Sequence, residues 1–320
     1  MIELQAYRPE QASELLTVWQ AAMGDRHPIM PALWTANTEG DPSFRPEDLI
    51  VATHAGKMVG FVMTKRWRGS YPGCERFADV GYLALMAVHP AHQRQGVGSR
   101  LLDEAIAHLQ REGATRILLE GSFHHFMPGI PASSPEALAF FAHHGFTPAK
   151  EVWDVRRRLD EGPALPEVDD VLRSQPDIAI RPYSPGEEEA LVAFLQGNFA
   201  GRWARDTDLL LRSGGDVRHV VGVFLNGEPQ GFAQLHPPSS PGALRWSGFV
   251  PEVAALGPIG VGQALRGRGL GLALLVRGLE RLRDLGARET IIDWTDLLDF
   301  YGRCGFKPWL RYVLARRPLG

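Results

Sequence analysis

Residues 93–98 read Gln-Arg-Gln-Gly-Val-Gly, and residues 266–271 read Arg-Gly-Arg-Gly-Leu-Gly. Each is a Gln/Arg-x-x-Gly-x-Gly loop set between an apolar run and an amphipathic stretch of helical period. A whole block of the chain keeps the spacing of 173 residues between them. Val88 pairs with Val261, Gln93 with Arg266, Gly96 with Gly269, Gly98 with Gly271, and Leu101-Leu102 with Leu274-Leu275. Gly113-Ala114 pairs with Gly286-Ala287, and Glu120 with Asp293. Outside the block the offset drifts, as insertions make it do. Gly60-Phe61 finds Gly231-Phe232, and Gly145-Phe146 finds Gly305-Phe306. An ordered series of matches along both halves predicts one architectural plan used twice.

The pattern between the matches supplies the elements. Ile2 to Tyr7 reads as a strand, followed by an amphipathic helix from Pro9 to Met23. Residues 24–47 hold four prolines and read as irregular. Leu49–His54 and Met58–Lys65 form a hairpin, and Tyr82–Val88 a buried strand that leads into the first loop. Val97–Arg111 places Leu101, Leu102, Ala105, Ile106 and Leu109 on one helical face and stops at Gly113. Arg116–Glu120 is the next strand and 136–144 the last helix. The second half repeats this order from Ile178. The expected division is 1–160, a linker at 161–175 without apolar period, and 176–320. Between Glu120 and Gly145 the first half carries thirteen more residues than the second half does, among them His124-His125-Phe126-Met127-Pro128-Gly129.

A glycine loop that opens a helix directly after a buried strand is suited to holding an anion. The first turn of a helix leaves N–H groups without partners, and its dipole favours negative charge there. Glycines let successive amides converge without a Cβ in the way. Neither loop ends in Gly-Lys-Ser/Thr, and neither follows Gly-x-Gly-x-x-Gly, since Leu101 stands three residues after Gly98. The formal net charge of −3 argues against a general nucleic-acid binder. Two cysteines, Cys74 and Cys304, are too few for a disulfide framework and fit a reducing cytoplasm. No apolar run approaches membrane-spanning length, so no membrane partner is expected.

With Val88-His89-Pro90-Ala91-His92-Gln93-Arg94-Gln95-Gly96-Val97-Gly98, the second loop, and Phe300-Tyr301-Gly302-Arg303-Cys304-Gly305-Phe306, the chain resembles the GNAT superfamily of N-acetyltransferases, in a tandem two-domain form similar to the mycothiol synthases. The resemblance implies an α/β fold of two acyl-CoA N-acyltransferase domains, each a mixed, mostly antiparallel sheet flanked by helices. It implies acetyl-CoA as co-substrate and a small-molecule amine as acceptor, with a monomer or homodimer as the working unit. The pyrophosphate would be held by amides of Arg94, Gln95, Gly96, Val97, Gly98 and Ser99, and of Gly267, Arg268, Gly269, Leu270, Gly271 and Leu272. Gln93 and Arg266 open these loops, and backbone near Val88 and Val261 would bind pantetheine.

By the same resemblance Tyr301 holds the place of the acid that protonates the departing thiolate, while the first half has Phe141 there. Chemistry is therefore expected in the second half. An acidic base is expected at the position of Ala255, and the nearest carboxylate is Glu252. In the first half Asp79 and Tyr82 precede the corresponding strand, and Glu120 sits on the next one. His124, His125, His143 and His144 lack ligand spacing, and no metal is expected. Acceptor recognition is placed in 24–47 with Trp34, in 197–216 with Trp203, Arg202 and Arg205, and in the tail with Trp309 and Tyr312. A non-catalytic acyl-CoA-binding protein and a protein-modifying acetyltransferase remain open as alternatives at this level.

Overall fold

The computed structural model describes residues 1–160, 165–238 and 240–319. The first half runs β1 (Ile2–Ala6), α1 (Ala12–Met23), α2 (Pro31–Asn37), β2 (Leu49–His54), β3 (Lys57–Arg66) and β4 (Val80–Val88). It continues with α3 (Val97–Arg111), β5 (Arg116–Leu119), the two-residue β6 (Ile130–Pro131), α4 (Pro135–His143) and β7 (Thr147–Arg158). After α5 (Pro166–Arg173) the order returns as β8 (Ile178–Pro182), α6 (Glu188–Asn198), α7 (Arg202–Arg212), β9 (Val220–Leu225) and β10 (Glu228–His236). The second half then runs through β11 (Val253–Val261), α8 (Leu270–Asp284), β12 (Glu289–Thr295), α9 (Leu298–Gly302) and β13 (Lys307–Pro318). Among the described residues no helix is long and apolar enough to cross a membrane.

Local chemistry sets the repeated turns. The β2–β3 hairpin turns at Ala55 and Gly56, with φ of 50° and 76°, and the β9–β10 hairpin at Asn226 and Gly227, with φ of 51° and 89°. Two successive positive φ values give the twist that matches right-twisted strands. The proline-rich segment 24–47 contains α2, against its reading as irregular. Pro31 stands in the first turn of that helix, where its missing N–H removes no hydrogen bond.

All the described strands share one sheet, in the order β1-β2-β3-β4-β5-β13-β7-β12-β11-β10-β9-β8, with β6 beside β13. The two halves exchange their last strands. First-half β5 pairs with second-half β13 (Ala315↔Leu119, Pro318↔Arg116), and β12 pairs with first-half β7 (Glu289↔Arg158). At the centre β7 and β13 pair antiparallel, with Lys307↔Arg156 at one end and Arg316↔Thr147 at the other. That register maps onto itself when the halves are interchanged, so a pseudo-two-fold axis passes through this ladder near Val152 and Tyr312.

The stretch 161–175, expected to be a linker without apolar period, contains α5; residues 161–164 lie outside the described residues. The reason for α5 lies in α8. Helix α3 buries one face, while α8 also buries Leu272 and Val276, where α3 has the polar Ser99 and Asp103. Val168 of α5 is 2% exposed within the same core cluster, and Val171 and Leu172 pack against it. Burying one such aliphatic side chain contributes about 1.5–3 kcal/mol. Arg277 Nη2 donates to Asp169 Oδ1 at 2.8 Å across the α5–α8 contact.

Candidate active site

Each half opens its sheet at the same place. β4 and β5 pair in parallel only over Val80–Tyr82, and β11 and β12 only over Val253–Ala255. Beyond those residues β4 and β11 continue to Val88 and Val261 with one edge uncovered by any described strand. An extended chain carrying amides can add to such an edge. Each opening points at its glycine loop.

The loops match in detail. Gly96 and Gly269 are the N-caps of α3 and α8, with φ of 79° and 78°. Arg94 and Gly267, two residues earlier, also have positive φ, 60° and 79°. Gln93 Nε2 donates to Val88 O at 2.9 Å, and Arg266 Nε donates to Val261 O at 3.1 Å. The opening residue of each loop thus braces the end of the preceding strand. Among the described residues, the N–H groups of 94–99 and 267–272 donate to no protein acceptor, so both cradles present free amides at a helix start. Gln95 Nε2 turns back to Ala91 O, and Ser99 Oγ lies 3.1 Å from His144 Nε2. The loops differ in surroundings. A Cβ on Gly96 would meet nothing within 4 Å, whereas one on Gly269 would lie 3.1 Å from Val171 of α5.

Tyr301 stands on α9 with its ring 5.0 Å from Phe300 and 5.9 Å from Phe306. Phe141 repeats this packing on α4, 5.2 Å from Phe140 and 5.5 Å from Phe146. Burial, with Asp293 nearby, pushes the Tyr301 phenol up to about 12, so it remains a proton donor at neutral pH. Glu252 lies outside β11, exposed, in a turn with φ of 53°. Among the described residues no ion pair or hydrogen bond fixes its side chain. Ala255 sits opposite Ile291 and beside Trp246, on the sheet face away from α8.

On that same face a charged network joins the halves, and the sequence reading did not assemble it. Asp293, on the bulge where β12 shifts register against β7, accepts from Arg245 Nη1 at 2.8 Å, and its Oδ2 lies 3.2 Å from His125 Nε2. Arg245 Nη2 also donates to both oxygens of Asp154, at 3.1 and 3.2 Å, and Trp246 Nε1 donates to Asp154 at 3.0 Å. Arg202 donates to Gly121 O at 3.0 Å, and its Nη2 lies 3.3 Å from His125 Nδ1. Burial and the two arginines lower His125 to about 3, leaving it neutral. Against burial, Arg245 and His125 hold the Asp293 carboxyl well below the usual carboxylate range.

Arg205, expected among the acceptor-recognition residues of 197–216, is 4% exposed instead. It pairs with Asp206 and stacks over Trp67 and Phe123. Asp154 and Arg245 carried no sequence signal, because only the strand exchange brings β7 beside β12.

Comparison with known proteins agrees with this architecture. A model described as acetyltransferase (GNAT) domain matches residues 45–148, and one described as acetyltransferase (GNAT) family matches 184–306. A mycothiol acetyltransferase of Parafrankia sp. (strain EAN1pec) is 31% identical over 274 residues, 75% of this chain and 80% of that protein. One from Arthrobacter sp. (strain FB24) is 25% identical over 94% of this chain and 84% of its own. A GCN5-related glucosamine N-acetyltransferase region in a fungal multi-domain β-N-acetylglucosaminidase superposes with a TM-score of 0.88 at 25% identity. That likeness covers 99% of this chain and 38% of the longer fungal one. A tandem GNAT protein from the clavulanic acid biosynthesis pathway shares the fold, with a TM-score of 0.67 at 17% identity over the whole chain. Two matched domains, a shared tandem architecture and a relative 31% identical over three quarters of the chain lead to one assignment: the chain belongs to the GNAT acetyltransferase family.

Proposed function

We propose that the chain moves the acetyl group of acetyl-CoA to a primary amine of a small molecule, with the chemistry in the second half. The observation that carries this reading is Tyr301, a protonated phenol in the place that Phe141 fills in the first half. The neutral amine nitrogen attacks the thioester carbonyl carbon, and a free N–H of the β11 edge steadies the oxyanion. The C–S bond breaks, the sulfur takes the Tyr301 proton, and the ammonium proton leaves to water. Solvent then reprotonates the phenolate. The first half binds acyl-CoA in its own loop, or serves the second half structurally. The names of the relatives support a small aminated acceptor. The two thiols, Cys74 and Cys304, are free and buried, which fits a reducing cytoplasm.

Glu252 is not assigned the base on this reading, since nothing orients it. Calorimetric titration of acetyl-CoA into the protein tests cofactor binding, and thiol release with glucosamine, spermidine and ethanolamine tests transfer. Two acetyl-CoA sites and turnover with at least one amine are expected. Binding without turnover would favour a non-catalytic acyl-CoA-binding protein.

A further inference from the structure

The long first-half insertion reaches the second-half opening. Gly121 lies so close to Trp294 of β12 that a Cβ there would meet the indole at 2.6 Å. His125 stands 5.5 Å from the same indole. First-half groups hold the insertion in place. Asn37 Nδ2 donates to His125 O at 3.0 Å, and the buried Lys65 Nζ donates to Phe123 O and His124 O at 3.2 and 2.9 Å. Phe126 packs on Trp34, with ring centroids 5.8 Å apart. His124 takes a φ of 48° where the chain turns to present His125. The insertion is therefore a braced arm, and its tip ends on Asp293.

Asp293 is placed to receive a cation. Its Oδ2 is engaged by Arg245 and His125, while among the described residues Oδ1 has no protein donor, and the side chain keeps 28% of its exposure. It lies two residues beyond Ile291, which is paired with Ala255 where the sheet opens. Ile292 packs on the α8 side with Tyr301, whereas Ile291 packs with Trp246 on the other. Asp293 joins Arg245 on that second side. A thioester in the opening would then have Tyr301 on one face and Asp293 on the other.

We propose that Asp293 binds the ammonium group of the acceptor, which then gives one proton to water so that the neutral amine can attack, and that His125 of the first half is a positioning residue that fixes Asp293 for this task. The inference rests on the second half being the acetyl-transferring one, and it makes the acceptor wall a product of both halves. It also names the substrate class as primary ammonium compounds presented from the face opposite α8. His125 itself takes no proton from the acceptor, because both its ring nitrogens face other groups.

Steady-state thiol release with glucosamine, spermidine and ethanolamine tests this, with melting temperature and acetyl-CoA binding measured in parallel. Asp293→Asn is expected to raise the amine KM about tenfold or more, the scale of one lost charge-assisted contact, with acetyl-CoA affinity unchanged. Asp293→Glu, which keeps the charge, retains most of the amine affinity if it folds as the parent does. His125→Ala raises the amine KM, and His125→Gln, which restores a polar side chain against Asp293 and Arg245, lowers it again. An unchanged amine KM in Asp293→Asn would overturn the inference while leaving acetyl transfer intact. So would a His125→Gln variant no better than His125→Ala. If the parent protein binds acetyl-CoA but neither binds nor acetylates any of the three amines, the transferase reading and the inference both fall.

Discussion

Gln175 and Arg268 grip each other beside the second glycine loop: Arg268 Nε donates to Gln175 Oε1 at 2.8 Å, and Gln175 Nε2 approaches Arg268 O at 3.3 Å. The first loop has no such clasp among the described residues. The free amides of residues 267–272 therefore sit in a loop whose middle is tied to the segment following α5, while the loop of 94–99 is held by Gln95 to Ala91 and by Ser99 to His144 at the end of α4. Gln175→Ala is expected to change acetyl-CoA affinity at the second site and to leave the first unaltered. Calorimetry that resolves two sites reads this directly.

The glycine caps differ in what a side chain would meet. Gly96→Val forces a β-branched residue into the left-handed region, which costs about 1–2 kcal/mol, in open space. Gly269→Val adds a clash with Val171 to the same strain. Each replacement should abolish acetyl-CoA binding at its own loop, with the larger fall in melting temperature for Gly269→Val. Equal losses of stability would mean that α5 yields easily at this contact.

Tyr301→Phe reproduces in the second half what the first half already has. The hydroxyl is the only group removed, so stability should change by less than about 1.5 kcal/mol. Turnover should fall by about a hundredfold or more with acetyl-CoA affinity kept, the pattern of a lost proton donor. A full turnover rate in this variant would place protonation of the thiolate elsewhere.

Two buried histidines give the stability a pH slope. Burial lowers His27 to about 4, and His125 stands at about 3. The unfolded chain takes up these protons below about pH 6.5, while the folded chain resists them. Stability from this source is thus complete above pH 6.5 and is lost as pH falls towards 4 and 3. The slope is at most about 1.4 kcal/mol per pH unit for each residue. Urea midpoints measured from pH 7.5 to 4.5 should show it, and His27→Gln combined with His125→Gln should reduce it, the remainder coming from His124 and His236, which burial also lowers.

The parts legible in the sequence were those set by short-range periodicity. The loops, the strands before them and the helices after them lie where Gly96, Gly269 and the Leu101-Leu102 and Leu274-Leu275 pairs place them. Helix α2 was hidden because prolines read as breakers, although Pro31 occupies the first turn, where proline is tolerated. Helix α5 was hidden because Val168, Val171 and Leu172 make little more than one turn of apolar period among acidic residues. Their purpose is visible only against Leu272 and Val276. The Asp154–Arg245–Asp293 network was out of reach for a different reason. Its members belong to β7, to the turn before β11 and to β12, and only the exchange of β7 and β13 brings Asp154 beside the other two.

That exchange also sets the order in which the protein can be built. While the chain is being synthesised, β5 emerges early, but β13, the strand that completes its ladder, follows the entire second half. The first half must wait with an open sheet edge, which is an invitation to pair wrongly with another nascent chain. Folding of either half is thus bound to the other in time as well as in space. Neither anion cradle has its finished sheet behind it until the two final strands have crossed.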